Sequence, residues 1–333
     1  MKIIVPMAGM GKRMRPHTLT IPKPLVKVAG KPIVEHLVND IAERCAEPID
    51  EVAFIIGDFG KAVEESLKQV AADIGAKGSI YYQREALGTA HAIYMAEQSM
   101  SGPIVVAFAD TLFKADFTLD AESDGIIWTK QIDDPRAFGV VNLDDQGYIT
   151  EFDEKPEHPK SDLAIIGIYY FRDGSMLRSE IKYLLDNDMK SKGEFQITDA
   201  LEAMKEKGQR FRSQSVEEWM DCGNYRVTVE TNRRYLEIIK DRELVSDDLK
   251  LENAVLIPPC FIAPGVQIRN SVVGPHVSIG EGTIIEDSIV KDSIIQSSSN
   301  IRGINCESSL IGNHVKLNLP SREYSIGDYN EIS

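Results

Sequence analysis

The chain has 333 residues, 43% hydrophobic and 27% charged, which supplies apolar material for one large core or two smaller ones and excludes a disordered or fibrous protein. Its 52 acidic residues against 37 Lys and Arg give a formal charge of -15, which argues against nucleic-acid or anionic-lipid partners and requires any phosphate-bearing substrate to be captured by a local cluster of cations. Cys45, Cys222, Cys260 and Cys306 lie far apart with no C-x-x-C pair, against a zinc knuckle or disulfide framework and in favour of a reducing, cytoplasmic location. No run reaches the ~18 apolar residues of a membrane span, and the N-terminus carries no export signal, so no membrane partner is expected.

In chain order, short β-branched runs at residues 2–5, 52–56, 79–82 and 104–108 alternate with helix-patterned segments at 32–44, 60–72 and 88–98, each opening on Pro or Gly. This alternation predicts βαβ units around a mainly parallel sheet. Strand patterns then crowd together at 125–129, 138–143, 148–152 and 163–171, separated by polar turns such as Asp144-Asp145-Gln146-Gly147, which predicts antiparallel strands extending the sheet. Helical periodicity returns at 175–185 and 197–207. A last helix over 224–240, free of Gly and Pro, is expected to close the first domain. The charged stretch 242–252 places the boundary near residue 245, giving domains 1–245 and 246–333.

Beyond the boundary the period changes. Leu256, Ile262, Ile268, Val273, Ile279, Ile285, Val290, Ile295, Ile301, Cys306, Ile311 and Leu317 recur at steps of five or six, with Gly274, Gly280 and Gly312 directly after anchors where a turn would crowd a Cβ. This is the hexapeptide pattern of a left-handed parallel β-helix. At about three anchors per coil the twelve positions imply roughly four coils, each stable only on its neighbours. A β-sandwich would give a two-residue period with irregular turns and no reason for a sustained longer one.

The candidate chemistry begins where the first strand runs into Ala8-Gly9-Met10-Gly11-Lys12-Arg13, followed by Pro16, Thr18 and Pro22-Lys23-Pro24-Leu25. A glycine-rich loop after a strand lets backbone N–H groups approach phosphates while nearby cations offset their charge. Met14 and Pro16 break the dinucleotide fingerprint, and the spacing around Lys12 is not that of a Walker A loop. Taken alone, the loop fits a plain βα turn with solvated cations equally well.

The whole string resembles the signature of the sugar-1-phosphate nucleotidylyltransferases, G-x-G-T-R followed by P-x-T and P-K-P-L. Six further blocks follow in the family's order over about 220 residues: Gln83 with Leu87-Gly88-Thr89-Ala90, Phe108-Ala109-Asp110, Phe138-Gly139-Val140-Val141, Glu154-Lys155-Pro156, Glu194-Phe195-Gln196-Ile197-Thr198-Asp199, and Trp219-Met220-Asp221-Cys222-Gly223. The resemblance implies an α/β, Rossmann-like mixed-sheet domain that passes a nucleotidyl group from a nucleoside triphosphate to a sugar 1-phosphate and releases pyrophosphate. It implies Arg13 and Lys23 at the reacting phosphates, with Ala8, Gly9, Gly11, Gln83, Gly88 and Thr89 around the nucleotide. Gly139, Glu154 and Lys155 would hold the sugar phosphate, and Asp110 and Asp221 would bind Mg2+. Lys12 departs from the family's Thr and adds a cation beside Arg13. Glu194 and Asp199 read as organisers of the following helix, and His17, His36, His91 and His158 lack metal-ligand spacing and read as structural.

The Gln83 loop is similar to those of thymidylyl and uridylyl enzymes, so dTTP or UTP is the expected nucleotide; glucose 1-phosphate is the expected sugar by its frequency in the family the chain resembles. Mannose-1-phosphate guanylyltransferases carry similar Leu-Gly-Thr-Ala loops, which leaves GTP open. Two other readings compete: a bifunctional enzyme whose β-helix is also an acetyltransferase, for which only His276 and His314 offer a base and only residues 318–333 follow the last anchor, and an inactive nucleotide-sugar sensor, against which Arg13, Lys23, Asp110, Lys155 and Asp221 are all intact. A symmetric homo-oligomer is expected from the domain combination.

Overall fold

The computed structural model describes residues 1–9, 11–45, 47–115 and 123–320; Met10 of the glycine loop and residues 321–333 of the tail lie outside the described residues. Packing divides the chain into two compact units, the first comprising Met1–Val26 and Lys31–Asn224, the second Lys27–Gly30 and the chain from Tyr225 onward.

In the first unit, four parallel strands arise from the expected β-branched runs: β1 (Lys2–Pro6), β2 (Glu51–Ile56), β3 (Lys77–Tyr82) and β4 (Ile104–Ala107). The near-continuous burial of β1, β2 and β4 is what a sheet covered on both faces demands. Helix α1 (Ile33–Arg44) follows β1 and buries Ile33, Leu37 and Ile41 from one face, and α2 (Lys61–Asp73) links β2 to β3. Helix α3 covers only Thr89–Tyr94 of the expected 88–98, because Ala96 leaves helical geometry at ψ 28° and a 3-10 turn takes over at Glu97–Ser99. The parallel order is β3-β2-β1-β4, with β1 between β2 and β4.

The antiparallel part follows the second group of predicted strands. These are β6 (Gly125–Gln131), β7 (Gly139–Leu143), β8 (Ile149–Glu154) and β9 (Leu163–Phe171), with β5 (Thr111–Lys114) preceding them. Strand β9 runs antiparallel to β4 and carries β7 and then β8 beyond it, with β6 paired to β9 as well. Helices α4 (Gly174–Asp186) and α5 (Ile197–Glu206) are followed by two strands the sequence did not announce, β10 (Phe211–Ser215), parallel to β6, and β11 (Glu218–Asp221), antiparallel to β5. From β1 the chain winds outward through β2 and β3, then returns to the other side of β1 as β4. The carboxyl ends of β1 and β4 therefore flank a topological switch point, where an open α/β sheet presents its crevice.

The second unit contains α6 (Tyr225–Ile238) and the parallel strands of a left-handed β-helix. Sequence composition places α6 in the first domain, whereas packing groups it with the second unit. Asn232 is fully buried, and its side-chain oxygen accepts from the Ala29 N–H at 2.9 Å and from the Ser278 hydroxyl at 2.6 Å. Three parallel sheets form the solenoid walls, and the predicted anchors stack as three columns of four: Leu256, Val273, Val290 and Cys306; Ile262, Ile279, Ile295 and Ile311; Ile268, Ile285, Ile301 and Leu317. The register steps from Lys250 to Gln267, Ile284, Asn300 and Lys316, so a coil shortens from 17 to 16 residues along the stack, which accounts for the mixture of six- and five-residue steps. At Gly274 (φ +110°) a Cβ would stand 2.0 Å from the Ile257 carbonyl oxygen, so this corner admits only glycine. Among the described residues no helix is long and apolar enough to cross a membrane.

Candidate active site

A cleft of about 410 Å³ opens at the switch point of the first unit. Its floor is the turn after β1, where Gly11 adopts left-handed geometry (φ +57°) and its carbonyl accepts from the Thr18 hydroxyl at 2.8 Å. A Cβ on Gly11 would sit 2.9 Å from the Lys23 Cβ, so glycine here allows the Pro22-Lys23-Pro24-Leu25 segment to close over the loop. Among the described residues, chain neighbours aside, no atom lies within 4 Å of where a Gly9 Cβ would stand. Packing therefore does not demand glycine at position 9; an approaching ligand would.

The cations and carboxylates meet beside this loop. Lys23 Nζ donates to Asp110 Oδ2 at 2.7 Å, joining residues 87 positions apart, and the Lys23 side chain is only 11% exposed. Asp110 lies in the turn between β4 and β5, and the antiparallel pairing of β5 with β11 sets Asp221 opposite Thr111, with the Cys222 N–H donating to the Asp110 carbonyl at 3.0 Å. Gly223 leaves room for the Asp221 carboxylate, which a Cβ would approach to 2.7 Å. Burial, and then the repulsion of Asp110, push the Asp221 carboxyl above its ordinary range, against the pull of Lys23, the Gly223 N–H and Arg13. The two acids are therefore close enough to repel, and a cation between them would be stabilised.

At the other end of the cleft stands the segment between β3 and α3. Gln83 donates through Nε2 to the Gly88 carbonyl at 3.2 Å and lies 3.0 Å from His91 Nδ1. Gly88 (φ +121°) is forced, since a Cβ would meet the Phe195 carbonyl oxygen at 2.3 Å. Thr89 links this end to α5: its hydroxyl donates to Gln196 Oε1 at 3.1 Å and accepts from the Ile197 N–H at 3.0 Å.

Of the residues implied by the motifs, Ala8, Gly9, Gly11, Arg13, Lys23, Gln83, Gly88, Thr89 and Asp110 line the cleft, and Lys12 and Glu194 line it with them. Asp221 stands behind Gly223, which lines it. Gly139, Glu154 and Lys155 are gathered with one another but do not line this cleft. Glu154 pairs in register with Gly139, accepts from the Thr198 hydroxyl at 3.0 Å, and forms an ion pair with Lys155 Nζ at 3.1 Å. Thr198 follows Ile197 on α5, so the Thr89–Ile197 contact ties this second group to the cleft. Sequence reasoning set His91 and Glu194 aside; the signal that could have kept them is that His91 directly follows the Leu87-Gly88-Thr89-Ala90 block and Glu194 opens the block that contains Phe195.

Residues 2–238 match the family profile described as Nucleotidyl transferase. The chain is 31% identical to a glucose-1-phosphate thymidylyltransferase of Streptomyces griseus, over 95% of this chain and 93% of that protein. It is 32% identical to the low-salt glycan biosynthesis nucleotidyltransferase Agl11 of Haloferax volcanii, over 90% and 89%. Among solved structures, it is similar to a Bacillus anthracis protein described as a glucose-1-phosphate thymidylyltransferase and determined with sucrose, with 25% identity, a TM-score of 0.60, and coverage of 74% of this chain and 97% of that one.

Proposed function

Because the chain belongs to the nucleotidyl transferase family, we propose that it converts dTTP or UTP and glucose 1-phosphate into the nucleoside diphosphate sugar and pyrophosphate. Sugar-1-phosphate nucleotidyl transfer is the reaction class of its relatives; the particular nucleotide and sugar are the proposal. The observation that carries it is the Lys23–Asp110 contact, which joins the glycine loop to the carboxylate of the β4–β5 turn inside one cleft.

In the reaction an oxygen of the sugar phosphate forms a bond to the α-phosphorus, the bond from that phosphorus to the bridging oxygen breaks, and pyrophosphate leaves with the electron pair. The attacking phosphate is largely ionised at neutral pH, so no protein base is required. The work of the protein is alignment and screening of charge between two anions. Arg13 supplies a fork of donors to phosphate oxygens, while Lys23 and Lys155 act as compact charges, Lys155 toward the sugar phosphate. A triphosphate offers Lys23 an anionic partner in place of Asp110. The carboxylates of Asp110 and Asp221 suit Mg2+, and since no three His, Cys, Asp or Glu converge among the described residues, phosphate oxygens and water would complete its shell. When bound, that ion would offset negative charge on the phosphates. A symmetric homo-oligomer and a cytoplasmic location are also part of the proposal.

The test is a pyrophosphate-release panel with Mg2+ crossing five nucleoside triphosphates with glucose, galactose, mannose and N-acetylglucosamine 1-phosphates. One preferred pair is expected; silence from folded protein that still binds both ligands would favour the sensor reading. In the same assay Asp110→Asn should lower turnover about 100-fold with little change in melting temperature, and wild-type turnover would sink the metal assignment.

A further inference from the structure

Gln83 stands at the base-binding end of the cleft, and the way its carboxamide points decides what it can recognise. An amide presents an acceptor through its oxygen or donors through its nitrogen, and a rotation of 180° about the last side-chain bond exchanges them. In water both orientations would be populated. Here two groups act on the nitrogen side. The Gly88 carbonyl, which already accepts from the Ala92 N–H at 3.1 Å, is an acceptor only, and it lies 3.2 Å from Gln83 Nε2. His91 Nδ1 lies 3.0 Å from the same nitrogen. Turning the amide over would set its oxygen against the Gly88 carbonyl oxygen and leave two acceptors facing each other. For His91 to be a compatible partner its Nδ1 must carry a lone pair, which makes it the Nε2–H tautomer of a neutral ring. Burial lowers its pKa against the opposing pull of Glu85, so the neutral ring is the favoured one.

We infer that His91 is a positioning residue: with the Gly88 carbonyl it holds both N–H groups of the Gln83 carboxamide against the protein and leaves Oε1 as the acceptor that reads the nucleobase. The class of base this selects follows from hydrogen-bond complementarity. Thymine, uracil and guanine carry a ring N–H beside a carbonyl and can donate to Oε1 from that ring nitrogen. Cytosine and adenine carry a bare ring nitrogen at the equivalent place, which would face Oε1 acceptor to acceptor. The lactam bases are therefore selected as a class against the amidine bases, and the discriminating group is set by a histidine that need not touch the nucleotide. This inference rests on the proposed nucleotide-binding role of the cleft.

The experiment titrates dTTP, UTP, GTP, CTP and ATP into the full-length wild-type chain and into His91→Leu and His91→Gln, with turnover of the preferred pair measured alongside. Wild type is expected to bind the best lactam nucleotide at least tenfold more tightly than CTP. In His91→Leu that ratio should fall roughly fivefold, the loss expected from one orienting hydrogen bond, with KM for the preferred nucleotide raised and kcat within about twofold. His91→Gln returns an acceptor to the site and should restore the ratio to within about threefold of wild type. If His91→Leu does not fold, the smaller His91→Ala carries the same expectation. An unchanged lactam-to-CTP ratio in a folded His91 variant overturns the inference, as does a wild type that shows no such preference. Absence of turnover in the wild type, with a lactam-to-CTP binding ratio that still falls in His91→Leu and recovers in His91→Gln, would refute the proposed reaction while upholding the role of His91.

Discussion

Gly88→Ala separates what the backbone requires from what the ligand requires. The substituted Cβ would meet the Phe195 oxygen, nitrogen and carbonyl carbon at 2.3, 2.6 and 2.9 Å, all backbone atoms that cannot rotate away. Holding Ala at φ +121° and ψ 175° costs about 1–3 kcal/mol. Moving Phe195 aside strains its two backbone bonds, Ala90 N–H to the Phe195 carbonyl and Phe195 N–H to the Leu87 carbonyl, both 2.9 Å, worth about 1 kcal/mol each. The expected destabilisation is about 2–5 kcal/mol, a large part of the stability of an ordinary domain. Gly75→Ala is the control: φ is +76°, no atom of the described residues other than its chain neighbours lies within 4 Å of the new Cβ, and a loss of about 1–2 kcal/mol is expected. Both tryptophans, Trp128 and Trp219, belong to the first unit, so urea unfolding followed by their fluorescence reports on the affected region. Equal destabilisation by the two substitutions, with nucleotide affinity unchanged in Gly88→Ala, would refute the reasoning.

Gly9→Ala should do the opposite, keeping the urea midpoint near wild type while raising KM for the nucleotide about tenfold or more; a lowered midpoint with unchanged KM would make Gly9 structural. Asp221 makes stability depend on pH in a definite direction. Its folded pKa is raised, by burial first and by Asp110 second, so the folded state holds this proton more tightly than the unfolded chain, and the group's contribution falls as pH rises from the ordinary carboxylate range through the raised value. Asp221→Asn should therefore gain stability relative to wild type across that window while losing turnover, and a pH-independent difference between their urea midpoints would contradict the assignment. In the solenoid, Ile285 is fully buried between Ile268 and Ile301, and Ile285→Ala should cost about 2–5 kcal/mol by far-UV circular dichroism; a loss under about 1 kcal/mol would mean the column relaxes around the cavity.

The parts of this fold that could be read from the sequence are those governed by local periodicity. The strand over 163–171 is found at those limits, and the helices over 32–44 and 197–207 differ by one residue at an end, because burial of one face imposes a repeat on neighbouring residues. The solenoid anchors were legible for the same reason, with Cys306 filling an inward position as a small apolar side chain. Strands β5, β10 and β11 were not, since β11 reads Glu-Trp-Met-Asp and takes its shape from pairing with β5 rather than from its own alternation. The site divides in the same way. Gly9, Gly11, Lys23 and Asp110 are recognisable from short motifs, whereas the contact of Lys23 with Asp110 and of His91 with Gln83 depends on which strand ends the topology brings together. The grouping of Lys27–Gly30 with the second unit had no local signal at all.

That small grouping has a consequence in time. Ala29 receives its hydrogen-bond partner, Asn232, from a point 203 residues further along the chain. At about 5–20 residues per second, a ribosome delivers that partner roughly 10–40 s after Ala29 has emerged. The first βαβ turns can condense within that interval, but the four residues just after the Pro22-Lys23-Pro24-Leu25 segment cannot reach their final state until α6 has been made. A chain stopped before residue 232 would keep every motif from Gly9 to Asp221, yet leave the Ala29 N–H without its native acceptor. Synthesis of α6 thus sets the earliest moment at which the Ala29 backbone can make its native hydrogen bond.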